Sequence, residues 1–249
     1  MWGVPMSEYQ EDARPGWLGA LFGGRFETAV GILVLLFTIG VFGMVARDAY
    51  FSNAKDKSGV KRIIAKRWNE RTLVFPIEGA DRAGRQALFD VVVLTKDYGW
   101  VRGSTTELEK NDRRLSPKEI QEEVLDPQLR KGLGAARGLI AVGLASQEGD
   151  VEREEQRGGL RAVRIARWLD DALGDSIPMW TLNLGRYVDM CVECEDADTS
   201  WQRPFIVIAV RKAEGGTHIS EALANAMSNT ANLPSPDRYS TFAFAKFTK

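Results

Sequence analysis

The chain has 249 residues, with 33 Lys and Arg against 34 Asp and Glu, giving a formal charge of −1 at pH 7. Its 44% hydrophobic and 27% charged residues are ordinary globular composition, which excludes wholesale disorder, and the balanced charge argues against a dedicated nucleic-acid binder. One histidine and two cysteines leave few ligands for a metal centre and no spare histidine for a conventional nucleophile–base pair.

Residues 1–27 read as a short polar tail. Residues 28–46 (TAVGILVLLFTIGVFGMVA) follow as 19 uncharged, mostly apolar residues between Glu27 and Arg47. At about 1.5 Å per residue they span roughly 28 Å, close to the hydrocarbon thickness of a bilayer. A buried core helix would show polar periodicity, and a signal peptide would start from a basic region; the tail instead holds four acids and two arginines. The run predicts a single uncleaved transmembrane helix. No carboxylate interrupts it, so the proton- or sodium-carrying helix of an ion-driven stator is not expected. Residues 47–74 form a basic juxtamembrane linker. Seven Lys and Arg in 47–67, against only Arg14 and Arg25 before the helix, favour a cytoplasmic distal region by the positive-inside rule.

Residues 88–94 (LFDVVVL) predict a strand. Ser116-Pro117-Lys118-Glu119 predicts a helix start, with Ser116 as N-cap, Pro117 at the first helical position and Glu119 closing a capping box. Ile120, Val124 and Leu125 give that helix an apolar face, and Pro127 should kink or end it. A second buried strand follows Gly138 (LIAVGLA). A helix over 160–173 is set by Val163, Ala166, Leu169 and Leu173 and stopped by Gly174. Residues 179–188 and 205–210 predict two more strands around a polar loop holding Cys191 and Cys194. Residues 219–228 read as a helix, and 241–247 alternate Phe and Ala as an edge strand would. The order of elements predicts an α+β sandwich, a mixed sheet with helices on one face.

No catalytic constellation is visible, and no cofactor is expected. The glycine-rich GLGAARG (132–138) precedes a strand, the wrong context for a phosphate-binding loop. Cys191 and Cys194, without further Cys or His, are weak evidence for zinc; they would close a local disulfide in an oxidising compartment and stay reduced in the cytoplasm.

Residues 140–169 (IAVGLASQEGDVEREEQRGGLRAVRIARWL) resemble the core of the OmpA-like peptidoglycan-binding domain, a strand, then TD–x–x–G, then N–x–x–LS–x–x–RA opening a helix. Gly149 matches the motif glycine, Arg161-Ala162 the closing Arg-Ala, and Gly143 the glycine at the strand end. NLGRY around Gly185 and QRPFIVIAV with Arg203 resemble the third and final strands. The resemblance implies an OmpA-like domain over 75–212 followed by a C-terminal extension, 213–249. It also implies a site for a peptide-stem diamino acid, in which Arg161 takes the carboxylate through a bidentate pair. The motif Asp that takes the ammonium falls on Ser146, the Asn on Glu154, the Leu on Arg157 and the Ser on Gly158. Ser146-Gln147-Glu148-Gly149 resembles the A-S-x-E-G variant, in which Glu148 supplies the negative charge. The implied site is Arg161, Glu148, Ser146, Gly149, Glu154 and Arg203.

The resemblance implies a non-catalytic, single-pass protein of a bacterial inner membrane, with a periplasmic domain that binds or docks on peptidoglycan. This opposes the cytoplasmic placement from the charge count. The alternative is a membrane-anchored scaffold in a multicomponent complex, its fold kept for partner membrane proteins and no longer binding the wall.

Overall fold

A computed structural model describes residues 63–174, 177–189, 199–231 and 233–248. The predicted transmembrane run 28–46, linker residues 47–62 and both cysteines lie outside these. Among the described residues no helix is long and apolar enough to cross a membrane.

The chain enters at β1, the exposed pair Lys66–Arg67, and continues into β2 (Thr72–Ala80) and β3 (Gln86–Leu94). These last two form an antiparallel hairpin in unbroken register from Thr72↔Leu94 to Ala80↔Gln86. The sequence reading misses β2, whose alternation is interrupted by Pro76. That proline is exposed and lies past the residues paired with β1, so its missing N–H costs no bond to that neighbour. An excursion follows, with β4 (Tyr98–Trp100), β5 (Leu108–Lys110) and β6 (Arg113–Arg114) forming a small antiparallel sheet of their own.

Helix α1 (Pro117–Glu119) has the predicted capping box, Ser116 Oγ accepting from the Glu119 N–H and Glu119 Oε2 from the Ser116 N–H. It continues as a π-turn over Ile120–Val124. Pro127 then opens a new helix, α2 (Pro127–Gly134), where Asp126 Oδ1 accepts from the N–H groups of Gln128 and Leu129. Strand β7 is Gly138–Ala145 and helix α3 is Val151–Leu173. The helix begins at Val151, not at 160, because Asp150 caps it by accepting from the Arg153 N–H at 2.9 Å. Strands β8 (Met179–Arg186) and β9 (Ile206–Ala213), helix α4 (Ile219–Ser228) and strand β10 (Ala243–Lys246) complete the order.

The main sheet has seven strands in the order β1-β2-β3-β9-β7-β8-β10. All neighbours are antiparallel except β7 and β8, which α3 joins as a parallel pair. On one face Leu139 and Ala141 of β7 meet Ile165, Ala166 and Leu169 of α3 and Leu129 and Leu133 of α2 in one apolar cluster. On the other, Ile140, Val142 and Leu144 share a cluster with Ala222, Leu223, Ala226 and Met227 of α4.

The expectation of helices on one face therefore needs correction. It holds for the helices within 75–212, but α4, from the segment read as an extension, covers the opposite face. The reason lies in β7, where every residue is buried, so neither face can be left to water. The expected edge strand is present as β10, paired antiparallel with β8 from Ala243↔Asn183 to Lys246↔Trp180.

Helix α3 lies so close to β7 that a Cβ on Gly143 would stand 1.8 Å from the Gly158 carbonyl oxygen and 2.6 Å from the Ala162 nitrogen. Both obstructing atoms are backbone. Gly143→Ala should therefore push α3 off the sheet and cost about 2–3 kcal/mol in urea unfolding, the range of a core that is overpacked.

The turn of the β2–β3 hairpin depends on Asp81. Its buried side chain accepts from the N–H groups of Ala83, Arg85 and His218 at 2.9–3.0 Å and from Arg85 Nε at 2.8 Å. Burial alone would raise the Asp81 pKa, but hydrogen bonds from His218 and Arg85 outweigh it and bring the carboxyl from 3.8 to about 2. The folded-state value lies below the unfolded one, so this stabilisation is complete above pH 3.8 and is lost as pH falls towards 2. Denaturant midpoints measured across that window should drop for the wild type and stay flatter for Asp81→Asn, which begins from lower stability.

Candidate functional site

Strand β7 ends at Ala145, and Ser146-Gln147-Glu148-Gly149 carries the chain to the N-cap of α3. Where α3 crosses β7 at the Gly143 notch, the next residues on its inner face are Arg161 and Ala162. The notch thereby delivers Arg161 to the C-terminal end of β7.

Arg161 is only 1% exposed. Its Nη1 donates to the Leu144 carbonyl at 2.7 Å, Nε to Ser104 at 2.9 Å and Nη2 to Val101 at 3.4 Å. The guanidinium carbon lies 5.2 Å from the Trp100 ring centroid, within cation–π range. Trp100 is itself buried and stacks on Trp168 of α3 at 5.7 Å, and Trp168 stacks on Phe205 at 6.5 Å. Trp100, the last residue of β4, and the loop 101–104 after it therefore lie directly over Arg161.

Arg203 holds the same loop from the other side, its Nε donating to the Trp100 carbonyl at 3.0 Å and Nη1 to Thr199 Oγ1 at 3.1 Å. Thr199 Oγ1 in turn donates to Glu148. Burial pushes the Glu148 carboxyl up, but hydrogen bonds from Ser146 and Thr199 hold it below the usual carboxylate range. Arg102 approaches Glu148 at 4.0 Å from the solvent side. Burial, then the neighbouring Arg203 and Arg157 guanidiniums, bring Arg161 down to about 9, which leaves it a cation at neutral pH.

The structure thus brings Arg161, Arg203, Glu148 and Ser146 together around Trp100 and Thr199. Glu154 is buried and ion-paired with Arg157, and a Cβ on Gly149 would strike the Glu154 carboxylate. Of the charged members, only Glu148 reaches solvent. Sequence reasoning misses Trp100, Val101, Ser104 and Thr199. The one available signal is the apolar YGWV patch at 98–101 inside an otherwise polar stretch.

A groove of about 580 Å³ lies elsewhere, between Ala80, Asp81, Glu221, Ala224, Phe242 and Phe244, and shares no residue with the predicted set. Among the described residues no three His, Cys, Asp or Glu side chains gather as a metal would require.

No known family matches the chain, and no curated protein matches it. Among solved structures, the OmpA-like domain of FopA1 from Francisella tularensis subsp. tularensis SCHU S4 is similar at 12% identity and a TM-score of 0.34, covering 63% of this chain and 92% of that one.

The inward donors of Arg161 make it a structural staple. Arg161→Ala would take those donors from the Leu144 and Ser104 carbonyls, while the Val101 carbonyl keeps the Ser104 N–H at 3.0 Å, and would open space beside Trp100. The expected loss is about 3 kcal/mol or more in chemical denaturation, since each buried unsatisfied acceptor costs roughly 1–3 kcal/mol. Arg161→Lys should recover little of it, because one ammonium cannot reproduce the planar fork.

Proposed function

We propose that this chain is a non-catalytic, membrane-anchored scaffold, its distal domain built on an OmpA-like plan and presented to partner membrane proteins of a multicomponent complex. One observation carries the reading: Arg161, the ionic motif residue retained in register, is buried and spends its donors on the carbonyls of Leu144, Ser104 and Val101. A carboxylate ligand reaches that guanidinium only by displacing residues 100–104 and stripping the Ser104 carbonyl of this donor. Neutralising a partner already satisfied within the fold offers a ligand little net gain. The apolar run 28–46 supports the anchor, and the basic stretch after it suits anionic headgroups.

Docking on peptidoglycan is the second reading, and Glu148 is the observation that favours it. Its carboxylate is held ionised and partly exposed, as the ammonium of a stem diamino acid requires. The scaffold reading holds on either side of an inner membrane, whereas the wall reading holds only outside. Full-length protein in detergent, mixed with purified sacculi and centrifuged, should stay in the supernatant. Sedimentation that Glu148→Ala weakens would overturn the scaffold reading in favour of the wall. Protease accessibility of the C-terminus in spheroplasts supplies the second arm, since a protected C-terminus excludes the wall outright.

A further inference from the structure

The two ends of the main sheet are unequal. At one end β1 is only two residues, both charged and exposed, a short edge of the kind that resists further pairing. At the other end β10 lies within an extended run, 241–247, bonded to β8 along its inner side. The Thr241 N–H donates to the Leu184 carbonyl at 3.2 Å and the Phe247 N–H to Met179 at 2.9 Å, with β10 in ladder register between them. Peptide direction alternates along a strand, so Phe242, Phe244 and Lys246 turn their N–H and C=O groups outward. Among the described residues nothing pairs with that outer side. The complement of such an edge is another strand.

We propose that a second copy of this chain fills it, β10 against β10, antiparallel about a two-fold axis at Phe244. Outward-facing residues must pair with outward-facing residues, which allows a register centred on Phe244. Phe244 then faces Phe244 of the second copy, Phe242 faces Lys246, and Ala243 faces Ala245.

Charge favours this self-pairing. Lys246 is the single charge in 241–247, and this register sets it against an aromatic ring. The two ammonium groups are then four residues apart along the ribbon, about 13 Å at roughly 3.3 Å per residue. Phe244 already stacks on Trp180 at 6.1 Å, so the axis joins two such pairs into one aromatic row across the seam. Ala243 and Ala245, both exposed, leave the opposite face of the seam free of bulk. An isologous contact of this kind closes at two copies and does not propagate, because the described residues of each copy offer one such edge.

The test uses full-length protein in detergent, with protein mass taken from light scattering after subtraction of the micelle. The wild type should weigh twice the 27.7 kDa chain. Ala243→Lys with Ala245→Lys sets like charges opposite each other and should return the single-chain mass. Ala243→Lys with Ala245→Glu sets opposite charges across the same positions and should keep the doubled mass. Circular dichroism of both variants should match the wild type, since both sites are exposed. In a Cys191→Ser, Cys194→Ser background, Phe244→Cys should cross-link to itself with a short bis-maleimide. A wild type of single mass, a Lys/Lys variant that stays doubled, or no cross-link at 244 would each overturn the proposal.

Discussion

Every side chain of β7 is buried, and a strand with no polar face requires cover on both sides of the sheet. Much of the architecture answers that demand. On one side α3 approaches as close as backbone allows, which is why glycines occupy both Gly143 and Gly158 at the crossing. Asn183 ties the same helix to the next strand, donating to the Glu155 carbonyl at 2.8 Å while accepting from the Gly185 N–H at 2.9 Å. Gly185, at φ 73°, takes up the bulge where β8 gains a residue against β7. On the other side the chain after β9 returns as α4 and the segment through Leu233 and Tyr239.

The close crossing of α3 has a polar consequence. It brings a guanidinium into the interior at the end of β7, where desolvation is costly unless hydrogen bonds replace the lost water. The excursion 95–115 supplies that replacement with two carbonyls and the face of Trp100. A motif arginine can read a ligand or brace a fold. What decides between the two here is the loop in front of it, which a short helix motif does not encode.

The central strands were legible because they are continuous apolar runs bounded by glycine and polar turns, as in 88–94 and 138–145. The start of α1 was legible from Ser116-Pro117 and Glu119, whose side chains act within four residues of each other. The first turns of α3 were not: Val151, Glu152, Arg153 and Glu154 carry no apolar period, and the helix there rests on the Asp150 cap and on packing of glycines. At the site, the grouping of Arg161, Glu148, Ser146 and Arg203 followed from the register of the resemblance. Their partners did not, because Arg161 meets Ser104 across 57 residues and Arg203 meets Trp100 across 103. The face covered by α4 was hidden for a similar reason, since a helix's apolar stripe says that it packs and not against which side.

The order of strands also fixes how the domain bears load. The chain enters at Ile63 and leads into β1 and β2, at one margin of the sheet, whereas β7 and β9 stand near its middle. The bonds of an antiparallel hairpin run perpendicular to its strands, so tension from residues before 63 that pulls across the strands opens them one after another, as a zipper does, whereas a pull along the strands loads a whole row at once. Force across the strands spends itself peeling β1 and β2 away while the strand beneath α3 is still intact. The margin next to the preceding chain is the mechanically compliant part of the body, and the brace at Arg161 sits well behind it.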